Sequence, residues 1–151
     1  MNVSGEITVR SELSRALETL SKPELMVKCL PHLVTWRKVS DSELEATFTL
    51  NVGGVVDYLA RLRAQARIVI SRGEGSIIRY DIEGRAARAP YRGSINLFLE
   101  EKEPGLVGLR WNAELELSRL ATLLGRFIDM DALIKRIVND IVSNLEKCIK
   151  G

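Results

Sequence analysis

The sequence predicts an α+β fold in which a curved antiparallel sheet of six to seven strands wraps around a long C-terminal helix. The first observation is the tail, residues 120–149, where apolar side chains recur at every third or fourth position, as in an amphipathic helix. As a single helix, its roughly thirty residues would reach about 45 Å. The second observation is a series of runs in the middle of the chain in which apolar and polar residues alternate, which is typical of antiparallel strands with one buried face.

Composition limits the class of protein. A chain of 151 residues is expected to form one domain, residues 1–151, with a core that needs neither disulfide nor metal. The net charge of +2 is too small to indicate nucleic-acid binding. Cys29 and Cys148 lack the spacing of a metal motif and fall on apolar helix faces, which predicts two buried free thiols in a reducing cytoplasm. No signal peptide and no apolar run of the ~20 residues that a membrane span needs is recognised, so a soluble, cytoplasmic protein is expected.

The first quarter of the chain predicts a strand followed by two short helices. Residues 3–10 alternate, which indicates a strand, and Ser11 is expected to cap a helix that runs to residue 20. Pro23 suits the first position of a second short helix, which would stop before Pro31. Short strands are then expected at residues 33–39 and 45–52, with Gly53-Gly54 as a hairpin turn.

Residues 55–70 fit two interpretations. Read as a helix, the segment places Tyr58, Leu59 and Leu62 on one side. Read as a strand, it makes every even-numbered residue from Val56 to Ile70 apolar and most odd-numbered residues polar. The period of two explains more positions, so the strand is the prediction.

Three more strands are expected before the tail, at residues 78–83, 94–100 and 107–117. Residues 84–91, rich in small residues, Arg and Pro, are expected to form a loop, and Pro104-Gly105 a turn. The whole series would be an antiparallel meander whose apolar face meets the tail helix.

This order of elements resembles the START-like (SRPBCC) superfamily with its helix-grip fold, and within it the CoxG family, which is named for a component of carbon monoxide dehydrogenase. Four stretches carry the resemblance and together span nearly the whole chain. They are K-P-E-L at residues 22–25 with C-L-P at 29–31, V-G-G-V at 52–55, E-G at 83–84 with G-S at 93–94 and L-E-E at 99–101, and L-G-R-F-I-D at 124–129. The chain departs from the family pattern at His32, Lys22 and Gly54, where the family has Gly, Asp and Pro.

The resemblance implies a non-enzymatic carrier of a lipid-like or quinone-like molecule, bound between sheet and helix. It also implies that the protein assists a molybdenum hydroxylase of the carbon monoxide dehydrogenase type. The assistance would be assembly of the enzyme, delivery of quinone, or transient recruitment to the inner face of the membrane. The small residues Ala60, Ala64, Ala66 and Ala113 on the predicted inner face leave room for a cavity, although they also fit a core filled by interdigitating side chains. The predicted ligand-pocket residues are Cys29, Trp36, Phe48, Tyr58, Ala60, Leu62, Ala64, Ile78, Tyr80, Leu97, Trp111, Leu124, Phe127 and Ile128.

Catalytic patterns are weak in this sequence. His32 has no carboxylate beside it in the chain and is interpreted as a turn residue. No metal or cofactor motif is recognised, and no catalytic residue is predicted. A cyclase- or hydrolase-type enzyme, the less favoured alternative, would need a polar group inside the cavity, and Tyr58, Tyr80 or Cys29 could supply it.

A series of arginines forms the remaining candidate site. Arg85, Arg88 and Arg92 flank Pro90 and Tyr91, and they could dock an acidic partner or anionic headgroups. A solvated sheet face with balanced charges is the favoured interpretation. An interaction module with a vestigial cavity, acting through these three arginines, is the alternative function. Nucleic acid is not expected as a partner, and the oligomeric state is left open.

Overall fold

The computed structural model of the chain describes residues 1–49, 62–125 and 129–150, the side chain of Lys150 excepted. The strands are β1 (Asn2–Arg10), β2 (Leu33–Ser40), β3 (Glu43–Thr49), β4 (Arg63–Arg72), β5 (Ile77–Ala86), β6 (Ala89–Glu103) and β7 (Leu106–Glu116). The helices are α1 (Leu13–Ser21), α2 (Pro23–Met26), the short 3-10 helix η1 (Val27–Cys29), α3 (Ser118–Leu124) and α4 (Met130–Lys150). All neighbouring strands are antiparallel, in the order β1-β7-β6-β5-β4-β3-β2.

The strand interpretation of the ambiguous segment is confirmed for the part that the structure describes. In β4, Ala64, Ala66, Ile68 and Ile70 are buried, while their alternates from Arg63 onward are largely exposed. This is the burial pattern of a strand with one face on the core. Residues 50–61, which include the first part of the predicted strand and the Gly53-Gly54 turn, lie outside the described residues.

The N-terminal predictions hold with one correction. The first strand, the two helices and the start of α2 at Pro23 are as expected. Ser11 does not cap α1, because its Oγ donates to the carbonyl of Glu12 at 2.9 Å instead of accepting from an N–H of the helix.

The tail contains the predicted long C-terminal helix, but as α3 and α4 rather than as one helix over residues 120–149. Asp129 explains where α4 begins: its Oδ1 accepts from the backbone N–H of Asp131 at 3.1 Å and of Ala132 at 3.4 Å. These are the bonds of an N-cap, which satisfies donors that a helix start leaves unpaired. The 21 residues of α4 extend about 30 Å at the standard rise, so the helix is still long enough to cross the sheet.

The loop predicted at residues 84–91 is also wrong, because β5 and β6 continue through it as a tight hairpin. Ala86 pairs with Ala89, and the two connecting residues, Ala87 and Arg88, have φ of 50° and 69°, which are left-handed values typical of hairpin turns. Pro90 is compatible with β6 because β7 pairs with β6 only from Arg92 onward, so its missing N–H breaks no ladder bond on that side.

The buried side chains form two separate clusters. The main cluster joins α1, η1 and the C-terminal end of α4 to most of the sheet, and includes Leu20, Leu44, Ile78, Leu109 and Ile149. The second cluster lies where the β5–β6 hairpin meets α3 and the start of α4. Its buried members are Ala64, Ala86, Ala89, Leu120, Leu124 and Leu133. Because α4 contributes to both clusters, it spans the distance between them.

The two cysteines form a disulfide, and the prediction of two free thiols is therefore wrong. Their Cα atoms are 5.1 Å apart, a normal separation for the bond, because η1 brings Cys29 against the last turns of α4. Two further contacts join the same segments: Asn144 Nδ2 donates to the Cys29 carbonyl at 2.9 Å, and His32 Nε2 lies 3.2 Å from Asp140 Oδ2. Residues 140, 144 and 148 are four apart, so they lie on one face of the helix. We call these three contacts the α4 anchor.

We predict that replacing Cys148 with Ser destabilises the folded protein by about 2–5 kcal/mol, the usual effect of losing a disulfide that closes a long loop. Urea unfolding under non-reducing conditions measures the change, and the free-energy loss should be matched by Cys29→Ser. Reductant should destabilise the native chain and leave both variants unaffected. Equal stability of native and variant chains in the absence of reductant would contradict the anchor.

The buried phenol of Tyr80 gives a second prediction. Its hydroxyl donates to the carbonyl of Leu20 inside the main cluster, so Tyr80→Phe leaves a buried acceptor unpaired and should cost about 1–3 kcal/mol. Tyr91→Phe is the matched control: the Tyr91 hydroxyl donates to the Gln65 carbonyl at 2.7 Å in a more exposed setting, where water can replace it. Urea unfolding of both variants should give the larger loss for Tyr80→Phe, and the reverse order would refute the argument.

Alkaline pH should weaken the fold through the same two residues. Burial raises the pKa of Tyr91 to about 12, and burial raises the pKa of Tyr80 as well. A free phenol has a pKa of about 10, so the unfolded chain releases these protons first and the unfolding free energy falls as pH rises above about 10. Unfolding free energies measured over that range should decline less steeply in Tyr91→Phe. An unchanged slope would show that Tyr91 titrates normally in the folded protein.

Candidate functional site

The inner face of the sheet is less tightly covered in its middle than at its ends. Along β5, the inward residues Ile78 and Tyr80 are buried, Ile82 is only partly buried, and Ala86 is buried again. On β6 and β7, Ile95 and Trp111 are likewise only partly buried. Ile82, Ile95 and Trp111 pack against the main cluster and still keep accessible surface, so they are covered less completely than the buried residues on either side of them.

Helix α4 repeats this pattern on the opposite side. Its inward side chains are buried near both ends, at Leu133 and Ile134 and at Leu145 and Ile149. Between them lie apolar side chains that are only partly buried. These are Ile137, Val138, Ile141 and Val142. The helix is therefore packed tightly at its two ends and loosely over the middle of the sheet.

Small residues line the same part of the inner face. Ala46 and Ala66 lie on the inner face of β3 and β4, and Gly84 and Gly93 continue the inner face on β5 and β6. Each of these glycines lets a neighbour approach closely, since a Cβ would collide with the Gln65 carbonyl at Gly84 and with Leu115 at Gly93. In the same way, a Cβ at Gly5 would collide with the Trp111 indole, which lies against β1. We call the loosely packed set the inner band. It comprises Ile82, Gly84, Tyr91, Gly93, Ile95 and Trp111 on the sheet and Ile137, Val138 and Ile141 on α4.

The inner band is apolar and has little chemistry of its own. Its one phenol, Tyr91, is already bonded to the Gln65 carbonyl, and burial raises its pKa to about 12. Tyr80 is bonded to the Leu20 carbonyl and Cys29 is bonded to Cys148, so two of the three groups on which an enzyme was hypothesised are engaged. The third, Tyr58, lies outside the described residues. Within the described ranges, no cluster of three His, Cys, Asp or Glu side chains is placed to hold a metal ion.

The structure distributes the predicted pocket residues over three environments. Ile78, Tyr80, Leu97 and Cys29 are buried in the main cluster, with Phe48 and Trp111 partly buried against it. Ala64 and Leu124 are buried in the second cluster, and Leu62 packs against that cluster. Trp36 on β2 is 37% exposed. Tyr58, Ala60, Phe127 and Ile128 lie outside the described residues, and the lining role of the whole set stays a prediction.

Sequence patterns missed several residues of the region. The sequence indicates only that Ile82 and Ile95 lie on the apolar face of their strands, and it predicts a loop at Tyr91. Their alternation indicates the inner face, but nothing in it tells a packed position from a loosely packed one. Ile137 and Ile141 were similarly identified as members of the apolar stripe only.

The predicted docking arginines lie on the other side of the sheet. Arg85 and Arg92 are on the outer face of β5 and β6, and Arg88 is in the hairpin turn. Arg85 Nη1 donates to the Arg88 carbonyl at 3.4 Å. Arg92 lies opposite Glu83 and Glu116; a hydrogen bond from Ser118 and the charge of Arg92 lower the pKa of Glu116. These arginines and the inner band therefore form two separate surfaces.

In the parts of the chain that the structure describes, no helix combines the length and the apolar character needed to cross a membrane.

Comparison with solved structures places the fold among known ones. The chain is similar to a conserved protein from Geobacillus kaustophilus (12% identity, 99% of this chain and 95% of that chain covered, TM-score 0.77). It is also similar to a START superfamily protein from Mycobacterium smegmatis (10% identity, 99% and 97% covered, TM-score 0.70). A third similar structure is from Thermus thermophilus (18% identity, 99% and 97% covered, TM-score 0.59). At these identities the similarity shows the fold alone, and it confirms the predicted START-like architecture.

Comparison by sequence identifies the family. No curated protein matches the chain. The family model for CoxG, the G component of carbon monoxide dehydrogenase, matches residues 5–150. Family and fold together suggest a ligand-binding or carrier role. Because the match spans nearly the whole sequence, the chain belongs to the CoxG family.

Proposed function

We propose that this protein is a non-enzymatic carrier that binds a hydrophobic, lipid-like or quinone-like molecule between the sheet and α4. The observation that supports the proposal is the inner band. Sheet and helix are both tightly packed on either side of it and loosely packed within it. A fully packed core would bury the central residues most, so partial burial at the centre favours a space that a ligand fills.

The chemistry of the band selects the ligand class. The band presents aliphatic side chains, glycine and one indole, and its phenol is already bonded within the protein. A charged or strongly polar ligand would lose hydration there without gaining partners, which costs several kcal/mol. An apolar ligand gains about 0.8 kcal/mol for each buried methylene, and it must overcome an association cost of at least about 4 kcal/mol. A molecule with an extended hydrocarbon part and few polar atoms fits these constraints.

The family name suggests the kind of partner. CoxG proteins are linked by name to carbon monoxide dehydrogenase, so we propose that the carrier assists a molybdenum hydroxylase of this type, in the cytoplasm or transiently at the inner face of the membrane. Assembly, recruitment and quinone delivery all agree with a carried apolar molecule. The alternative is an interaction module with a vestigial cavity, which would act through Arg85, Arg88 and Arg92 and retain no ligand.

Filling the inner band should abolish ligand capture. Ile141 is only partly buried on the inward side of α4, so Ile141→Trp places a bulky ring in the proposed space with little loss of packing. Ser143→Trp, at an exposed position of the same helix, is the matched control. Native mass spectrometry with decylubiquinone and with lauric acid offered separately should show retention of at least one by the native chain and by Ser143→Trp. Ile141→Trp should lower the affinity roughly tenfold or more, a loss of about 1.4 kcal/mol.

Two results would count against a carrier. One is a native chain that retains neither probe and also releases no apolar molecule on denaturation after purification. The other is an affinity that Ile141→Trp and Ser143→Trp leave equally unchanged, which would place the bound probe elsewhere on the protein.

A further inference from the structure

The outer face of the sheet carries a row of alternating charges that crosses six strands. Each member lies directly opposite the next on the neighbouring strand. Arg37 and Glu45 are 2.7 Å apart, and Arg67 lies 3.6 Å from Glu83. The row contains three arginines and three glutamates, so it is neutral as a whole and holds its strands together by opposite charges on adjacent strands. Its members from β2 to β7 are Arg37, Glu45, Arg67, Glu83, Arg92 and Glu116.

An open groove of about 1070 Å³ runs along one side of this row, from β2 to the start of α3. Beyond the row itself, its charged lining residues are Arg85 and Arg119, and its neutral polar ones include Thr47 and Gln65. In the described part of the chain, no carboxylate forms an ion pair with Arg85 or Arg119. Because the row neutralises itself, the potential of this groove is set by these two guanidinium groups. We call it the basic groove.

The other side of the row has no excess of positive charge. A smaller groove of about 680 Å³ lies there, and its charged residues beyond the row are Asp81 and Glu114 with the N-terminus. Asp81 is paired with Arg79 at 3.0 Å. Arg79 and the N-terminus balance the two carboxylates, so this side of the row is close to neutral, in contrast to the basic groove.

We propose that the basic groove is the docking surface for an acidic, extended segment of a partner protein. The guanidinium groups of Arg85 and Arg119 recognise carboxylates, and Thr47 and Gln65 supply neutral hydrogen-bonding groups on the β2 side of Arg85. A segment whose carboxylates are separated by neutral polar residues matches these features.

The glutamates of the row argue against other polyanions. A nucleic-acid strand or an anionic bilayer presents closely spaced negative charges, and Glu45, Glu83 and Glu116 along the same groove would repel them. A peptide can place its carboxylates at Arg85 and Arg119 and leave neutral groups beside the glutamates. The basic groove lies on the opposite side of the sheet from the inner band, so this proposal stands or falls independently of the carrier proposal.

Binding of a fluorescein-labelled peptide in which single glutamates are separated by pairs of serines, followed by fluorescence anisotropy at low ionic strength, tests the assignment. The native chain should bind the peptide, and added salt should weaken binding because the contacts are exposed. The double variant Arg85→Glu/Arg119→Glu should bind at least tenfold more weakly. Arg10→Glu/Arg72→Glu changes the net charge equally at exposed positions outside the groove and should bind within about twofold of the native chain, the variation expected of surface changes outside a site.

A milder pair keeps the test valid if charge reversal disturbs folding. Arg85→Gln/Arg119→Gln should also weaken binding, and Arg85→Lys/Arg119→Lys should restore most of it. These variants should retain decylubiquinone as well as the native chain does. This control distinguishes the docking proposal, which concerns peptide binding, from the carrier proposal, which concerns ligand binding.

Three results would overturn the proposal. The first is no binding of the glutamate–serine peptide by the native chain at low salt. The second is equal weakening by the groove and control variants, which would mean that net charge alone attracts the peptide. The third is binding to phosphatidylserine vesicles that depends on Arg85 and Arg119 while peptide binding does not, which would assign the groove to a membrane surface.

Discussion

The attachment of α4 at its C-terminal end is the constraint on which the rest of the architecture depends. The helix is loosely packed over the middle of the sheet, so its central residues contribute less burial than a fully packed helix would. An unfilled space is also unfavourable, by about 24 cal/mol per Å³, and the helix would otherwise tend to collapse onto the sheet. The α4 anchor opposes both losses, because Cys148, Asn144 and Asp140 fix one face of the helix to residues 28–32. The second cluster fixes the other end through Leu133.

Most of the fold could be predicted from the sequence, because strand periodicity is a local signal. The even-numbered residues of β4 are buried for the reason that their alternation indicates: one face of the strand meets the core. The errors came from features without a local signal. The break between α3 and α4 interrupts an apolar stripe that continues on both sides, and only the N-cap bonds of Asp129 reveal it. The β5–β6 turn uses Ala87 and Arg88 at positive φ, where glycine or asparagine would have indicated a hairpin.

Less of the candidate site could be predicted, because it depends on distances between elements that are far apart in sequence. The pairing of Cys29 with Cys148 joins residues separated by 119 positions, and no spacing rule connects two isolated cysteines in a chain of this size. The sequence indicates which face Ile82, Ile95 and Ile141 occupy. How much of each side chain stays accessible is set by the height of α4 above the sheet, and that height follows from the contacts at its two ends. Trp36 is a second example. The alternation along its strand predicts that it faces inward, but β2 is an edge strand, so the side chain remains partly exposed.

A single strand register positions the residues of both candidate surfaces, the inner band and the basic groove. Successive side chains of a strand point to opposite faces, so Ala66 faces inward and Arg67, the next residue, belongs to the outer charge row. A slip of one residue would bury Arg67 and expose Ala66, and it would break both of the arginine's ion pairs, with Glu43 and Glu83. The outer row therefore does more than balance charge. Its opposite charges face each other only in the native register, so a shifted register loses these pairs and is disfavoured. The register that keeps the inner band apolar is in this way reinforced from the other side of the sheet.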